Sequence, residues 1–248
     1  MSDLSDEMEN ETEYERRRKE PKFRHELKYL CSDAQLQMLK SRLNGIMCLD
    51  SHVGEDGVYI IKSLYFDDYQ NRCYYENENG TSPREKFRIR IYNNKMDNIS
   101  LERKRKVGGK IQKHSCKITR EQYEILTNRD HVHKDAKSYP ELMQTLLCLQ
   151  KTRLMEPKVI VEYERTPYIY RNGNVRVTLD RNVRSSSRID RFFEENIYGR
   201  QISPLGKQLL EVKYDEYLPD HIYRSLQLDN MQLTAFSKYY LCRKYTVN

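Results

Sequence analysis

Tryptophan is absent from this sequence, although 20 of its 248 residues are tyrosine. A core must therefore draw its aromatic area from tyrosine, whose ring carries much apolar surface. No window approaches the length of an apolar membrane-spanning helix. The opening residues MSDLSDEMEN have neither the basic start nor the apolar middle of a secretion signal. Six cysteines stand at 31, 48, 73, 116, 148 and 242, with no Cys-x-x-Cys pair. That spacing argues against zinc and reads as reduced thiols of a cytoplasmic protein. His131 and His133 in HVH can share one side of a strand, but with no third ligand in view they read as surface polar residues. Phosphate-binding loops are missing as well. VGGKI, ending at Ile111, lacks both the first glycine and the Ser or Thr of a Walker A loop, and no glycine-rich kinase loop occurs. No serine or cysteine stands in a nucleophile context.

Charge, by contrast, is abundant and unevenly placed. Charged residues make up 33% of the chain, hydrophobic ones 38%, and the net charge is +7. Residues 1–20 hold eight acids and four bases, a net −4, which leaves +11 on the remainder. A body this basic favours polyanionic partners: nucleic acid, phosphates or an anionic membrane surface. Residues 1–21 read as a disordered charged tail and 22–248 as a single domain.

From Phe23 onward most of the chain reads as strands. FRHELKYL, IIKSLYFD, EKFRIRIYN, ISLERKRKV, KHSCKIT, KVIVEYERTPYIY, VRVTLD and LLEVKYDEYL are rich in β-branched and aromatic residues. A turn on Asn172-Gly173 predicts a hairpin between Tyr170 and Val175. Three helices interrupt. Ser32 caps the first, which carries Leu36, Leu39 and Leu43 on one face. Thr119 and Gln122 have capping-box spacing for the second, and Pro140 opens the third. SLQLDNMQL is a candidate for a fourth. The fold class expected is α+β, mainly β: an antiparallel barrel with a few flanking helices.

The strands share an unusual charge pattern. In EKFRIRIYNN, Glu85, Phe87, Ile89 and Ile91 alternate with Lys86, Arg88, Arg90 and Tyr92. Arg24, Glu26 and Lys28 share a side, as do Glu102, Lys104 and Lys106, then Arg176, Thr178 and Asp180, then Glu211, Lys213 and Asp215. A charged strand face ordinarily meets water. These faces, however, are dominated by Arg and Lys, and like charges on neighbouring strands repel. Closing the sheet would let them line an interior suited to phosphates, with a carboxylate or two able to hold a divalent metal.

In order along the chain, FRHELKY, LYFDD, REKFRIRIYN, LERKRK followed by GGKIQK, PKVIVEYERTPYI, VRVTLDRNV, LLEVKYD and FSKYY resemble the catalytic domain of the vacuolar transporter chaperone (VTC) complex. That domain is the polyphosphate polymerase branch of the triphosphate tunnel metalloenzymes, and the resemblance covers about residues 22 to 245. It implies a basic tunnel that binds ATP with Mn²⁺ or Mg²⁺ and transfers the γ-phosphoryl group to a growing polyphosphate chain. By motif it implies Arg88, Arg90, Lys104 and Arg165 as the catalytic set. It implies Arg24, Lys28, Lys110, Lys113, Lys213, Ser237 and Lys238 as phosphate-binding residues, to which the strand alternation adds Arg176. Glu211 is the implied metal ligand, with Glu26 and Glu102 as second-rank ligands or as orienters of neighbouring cations. Asp180 is a candidate to orient Arg176, while Tyr163, Tyr168 and Tyr170 read as packing residues.

The partners expected are ATP and inorganic polyphosphate. No specific nucleic acid is expected, because the basic residues lie in strand patterns and not in exposed clusters with stacking aromatics. A membrane-protein partner is left open. The chain shows neither the inositol-phosphate-sensing helices nor the membrane helices of eukaryotic relatives, so it reads as a free-standing catalytic-type domain. Its HELK also departs from the wider superfamily's Glu-x-Glu-x-Lys, with Arg24 where the first Glu would stand. Two alternatives remain: a triphosphate or tripolyphosphate hydrolase using the same tunnel, and a non-catalytic polyphosphate-binding module.

Overall fold

The computed structural model describes residues 22–128, 136–204, 206–228 and 231–244. The charged tail and the His131/His133 pair lie outside the described residues. Eleven strands form one sheet: β1 (His25–Ser32), β2 (Cys48–Leu49), β3 (Tyr59–Asp67), β4 (Arg84–Tyr92), β5 (Ile99–Val107), β6 (Lys110–Ile118), β7 (Glu156–Tyr170), β8 (Val175–Ser186), β9 (Arg200–Gln201), β10 (Lys207–Tyr214) and β11 (Gln232–Leu233). The main path runs β11-β1-β10-β8-β7-β3-β4-β5-β6, with antiparallel pairing at each step. The sheet curls until its ends meet. Arg24, just before β1, exchanges both backbone hydrogen bonds with Ile111 of β6, at 2.8 and 2.9 Å. All eight strands expected from the sequence are present, and the mainly antiparallel β architecture is as expected.

Alternation decides which face of this wall is which. Phe87, Ile89 and Ile91 are fully buried on the outer side. There they join a core completed by Tyr123, Leu126, Met143, Leu146 and Leu147 from α3 (Arg120–Thr127) and α4 (Glu141–Arg153). Burying each such side chain contributes roughly 1.5–3 kcal/mol. A second outer core places Leu36, Leu39 and Leu43 of α1 (Asp33–Asn44) against Val177, Leu179, Leu210 and Val212. Ser32 and Gln35 close a reciprocal capping box on α1, and Thr119 and Gln122 do the same on α3.

Helix α2 (Arg72–Glu78) and helix α6 (Lys238–Lys244) were not expected from the sequence. Of SLQLDNMQL, only Ser225 is helical among the described residues. Helix α5 (Asp220–Ser225) starts earlier, directly after Pro219, and Gln232–Leu233 instead pairs with Tyr29 and Leu30 at the sheet edge. Backbone pairing at an open edge outweighs the helical periodicity there. No helix among the described residues is long and apolar enough to cross a membrane.

Candidate functional site: a cationic cavity inside the curled sheet

Register alone assembles the site. Across β1 and β10, Lys28 faces Glu211 and Glu26 faces Lys213. Across β4 and β5, Arg88 faces Glu102 and Lys86 faces Lys104. With side chains of period two, these pairs all point into the space the sheet encloses. The resulting cavity is lined by Lys28, Arg84, Lys86, Arg88, Arg90, Lys104, Lys106, Arg165, Lys213 and Lys238, ten cations against the two carboxylates of Glu26 and Glu211. Burying so many like charges costs stability, and the fold limits that cost by pairing them.

One group of pairs centres on Glu26 and Glu211. Lys28 Nζ lies 3.3 Å from Glu26 and 3.4 Å from Glu211, and Lys213 Nζ lies 3.5 and 3.1 Å from the same two. Lys104 Nζ donates to both Glu26 oxygens at 2.8 and 3.0 Å. Arg165 contacts Glu211 at 3.1 Å and is bidentate on Asp180 at 2.6 and 2.7 Å. Lys238 bridges the same two acids, 2.6 Å from Asp180 and 3.4 Å from Glu211. Burial works to raise the Glu26 pKa, but Lys104, Lys28 and Lys213 together hold that carboxyl well below the usual range. Glu211 is likewise held low against burial, first by Lys213, then Lys238 and Lys28.

The opposite wall is built on arginine and tyrosine. Arg88 donates to Glu102 Oε2 at 2.8 and 2.6 Å and to the Tyr65 hydroxyl at 2.8 Å. Arg90 donates to Ser63 Oγ and the Tyr163 hydroxyl, both at 3.1 Å. Tyr163 also lies beneath Arg165 and Lys238, whose cationic centres are 5.2 and 4.6 Å from its ring centroid. The C-terminal segment supplies the remaining side. Phe236 O accepts from Lys28 Nζ at 2.9 Å, Ser237 Oγ accepts from Lys86 Nζ at 3.3 Å, and the Tyr239 ring lies 4.8 Å from the Lys86 ammonium.

Cation excess leaves a signature in two lysines. Burial, followed by the charges of Arg84, Lys104 and Lys28, brings Lys86 down to about 7. Burial also brings Lys104 to about 7, with Lys28 and Lys213 adding to it and Glu26 opposing.

Of the residues singled out in the sequence, the structure gathers Lys28, Arg88, Arg90, Lys104, Arg165, Glu211, Lys213, Ser237 and Lys238 around one cavity, with Glu26 beside Glu211. Five others lie off its lining, Glu102 among them, buried behind Arg88. Arg24 pairs with Asp215 at 2.7 Å. Arg176 donates to Asp50 at 2.8 Å and to the Tyr59 hydroxyl at 2.9 Å. Lys110 is exposed at the start of β6, and Lys113, half exposed, reaches Glu102 at 3.3 Å. Asp180 holds Arg165 and Lys238 and not Arg176, because β7 and β8 pair Arg165 directly opposite Asp180. Tyr163 packs as expected but also lines the cavity, as do Tyr65 and Tyr239. The signal that could have found Tyr163 is spacing: it stands two residues from Arg165 and so on the same face.

Which residues fit a divalent cation follows from their oxygens. Among the described residues no group of three or more His, Cys, Asp or Glu is arranged to hold a metal. Glu26 and Glu211, bridged by Lys28 and Lys213, are two hard oxygen donors on the cavity. That is a sufficient protein contribution for Mg²⁺ or Mn²⁺ when phosphate oxygens complete the shell. Glu102 fits less well, since it lies behind Arg88 and off the cavity lining.

A curled antiparallel sheet with a cation-lined interior is the fold of the triphosphate tunnel proteins. The VTC domain family matches residues 23–247, and the chain belongs to that family. No curated protein matches it. Among solved structures, a candidate adenylyl cyclase from Hippeastrum, reported to have a dominant triphosphatase activity, superposes with a TM-score of 0.51 at 14% identity, covering 90% of this chain and 95% of its own. A candidate adenylate cyclase from Bacillus halodurans gives 0.49 at 16% identity, covering 83% and 87%. A protein from Pyrococcus horikoshii OT3 gives 0.47 at 14% identity, covering 90% and 99%.

Proposed function

We propose that this protein is an ATP-dependent polyphosphate polymerase, transferring the γ-phosphoryl group of ATP to an inorganic polyphosphate chain held in the cavity. The observation that carries this reading is the ten-to-two ratio of cations to carboxylates on the lining, in a chain of the VTC domain family. Phosphoryl transfer asks little covalent chemistry of a protein; it asks for positioning and for positive charge around the moving group. Arg88 and Arg90 suit the triphosphate because a guanidinium can grip phosphate oxygens through two donors. Glu102, Tyr65, Ser63 and Tyr163 hold both guanidinium planes before substrate arrives. Arg165 is fixed by Asp180 in the same way. Lys28, Lys104, Lys213 and Lys238 are mobile point charges, and each must trade a carboxylate contact for a phosphate one. Ser237 can donate its hydroxyl hydrogen to a phosphate oxygen. Glu26 and Glu211 would hold Mn²⁺ or Mg²⁺, which supplies further neutralisation of phosphate charge. Arg24, Arg176 and Lys110 stand away from the reacting centre, and Lys113, opposite Lys104 in register, backs the Arg88–Glu102 pair.

A second reading is favoured by the Hippeastrum likeness: the same cavity with water as acceptor, a triphosphate hydrolase. One experiment separates them. Purified protein is incubated with ATP and Mn²⁺, and the products are stained for long-chain polyphosphate on a gel. A polymerase gives a ladder that Glu211→Ala abolishes. ADP and free phosphate without polymer establish the hydrolase, and binding without turnover leaves a binding module.

A further inference from the structure

Among the described residues, the cavity lining reaches Arg90 and Arg165 and goes no further along the strands. The next layer is tyrosine. Tyr59 stands opposite Arg165 in register, and Tyr92 lies two residues beyond Arg90. Both rings face inward by alternation, and they meet edge to face at 5.5 Å between centroids. Arg90 lies 5.9 Å from the Tyr92 ring, so the aromatic pair is the floor on which the last cavity arginine rests. Tyr59 is only 4% exposed, and Ile61, also inward, is fully buried beside it.

Outside that floor lies Arg176, with its side chain 35% exposed. Its Nη2 donates to the Tyr59 hydroxyl and to Asp50 Oδ2. Asp50 is anchored by its own amide on Pro167 O at 3.1 Å, and its Oδ1 accepts from the His52 amide at 3.1 Å. The order outward is therefore Arg165, Tyr59, Arg176, Asp50. Two cations sit on either side of one phenol, and the outer one is neutralised by a carboxylate from a loop.

Resting on the phosphate-tunnel reading, we propose that Tyr59, Arg176 and Asp50 form a gate across the far end of the tunnel, and that this gate sets the length of phosphate chain the site holds. A triphosphate is held by the inner cations without disturbing the gate. A longer polyphosphate must compete with Asp50 for Arg176, because Asp50 and the Tyr59 hydroxyl take both Nη2 hydrogens and the carboxylate offsets the guanidinium charge. Discrimination by chain length then arises from the competition for Arg176, beyond the residues that hold the triphosphate.

Calorimetry on the full chain tests this with two probes, inorganic tripolyphosphate and long-chain inorganic polyphosphate. Wild type, Asp50→Asn and Tyr59→Phe are compared, each checked for folding by circular dichroism. Losing a charge-assisted contact on Arg176 is expected to raise affinity for long chains about tenfold in Asp50→Asn, with tripolyphosphate affinity within about twofold of wild type. Tyr59→Phe, which removes only the hydroxyl that Arg176 uses, shifts the long-chain value in the same direction. Equal shifts for both probes, or none for either, overturn the gate. A wild-type protein that binds no tripolyphosphate overturns the gate and the tunnel reading together. Intact binding without polymer synthesis overturns only the polymerase, since every arm of this test reads binding.

Discussion

Arg165 lies flat against Asp180, its Nε and Nη2 donating to Oδ1 and Oδ2 at 2.6 and 2.7 Å, and Lys238 completes the carboxylate's shell at 2.6 Å from Oδ2. Asp180 is fully buried. Its pKa is held down, against burial, first by Arg165 and then by Lys238. Removing one partner of such a set leaves buried charge uncompensated, at a cost of about 3–5 kcal/mol. Asp180→Asn is therefore expected to lower the urea midpoint strongly. Adding Lys238→Met should recover part of the loss, because one orphaned cation goes with it. Additive losses in this double-mutant cycle would show that Lys238 and Asp180 are not coupled.

Lys86 and Lys104 make binding pH-dependent. Both sit at about 7 in the ligand-free protein, against an ordinary 10.5. A bound polyphosphate supplies negative charge and favours the ammonium form, so both values rise in the complex. Binding above pH 7 must then take up protons, and affinity falls as pH climbs from 7 towards the values in the complex. Titrations in buffers of different ionisation enthalpy should show this uptake at pH 8 and little of it at pH 6; no uptake at either would refute the assignment. Stability follows the opposite rule in the ligand-free protein. The unfolded chain binds more protons between 7 and 10.5, so these two lysines make folding more favourable as pH rises through that window.

Glu102 and Glu211 can be told apart by metal dependence. Glu102 faces Arg88 across β4 and β5 and holds its guanidinium through Oε2. Glu211 lines the cavity among four cations: Arg165, Lys213, Lys28 and Lys238. Glu102→Gln is expected to weaken tripolyphosphate binding roughly tenfold by loosening Arg88, in line with loss of a charge-assisted contact. The Mn²⁺ concentration needed for half-maximal turnover should stay unchanged. Glu211→Gln should instead raise that concentration. A shifted Mn²⁺ requirement in Glu102→Gln would make Glu102 a ligand.

Much of this site was legible because β-strands sort their residues by parity. Once EKFRIRIYNN is a strand, Phe87, Ile89 and Ile91 must oppose Lys86, Arg88 and Arg90, and two outer cores show which side is buried against helices. Parity does not say how far along the tunnel a residue sits. Arg24 and Arg176 obey the same alternation as Lys28 and Arg165, yet Asp215 and Asp50 engage them off the cavity lining. Partner choice was equally hidden: Asp180 and Arg176 are four residues apart on one strand, while Asp180 and Arg165 meet only through β7–β8 register. The tyrosines escaped notice because an amphipathic ring reads as core in sequence, and its hydroxyl acquires a role only when Arg88 or Arg90 is found beside it.

Helix α2 and helix α6 depend on a single buried carboxylate, and this yields the last prediction. Asp67, fully buried at the end of β3, accepts from the backbone amides of Asp68 and Cys73 at 2.9 Å through Oδ1 and of Tyr74 at 3.2 Å through Oδ2. Two of these amides open α2, where unpaired N–H groups favour a negative charge. Oδ2 also accepts from the Tyr239 hydroxyl, whose pKa burial and then Asp67 push far up. Tyr239 in turn lies under the Lys86 ammonium and lines the cavity. Asp67 thus ties one helix start, one helix position and one wall of the site together. Asp67→Asn keeps the shape but exchanges one acceptor oxygen for a donor that faces N–H and O–H groups. The expected cost is about 1–3 kcal/mol from unmet donors. Hydrogen exchange should quicken in α2 and α6 while the β4–β5 amides stay protected, and tripolyphosphate affinity should fall with the loosened wall. Uniform loss of protection across the sheet would mean that Asp67 supports the whole fold and not this corner of the tunnel.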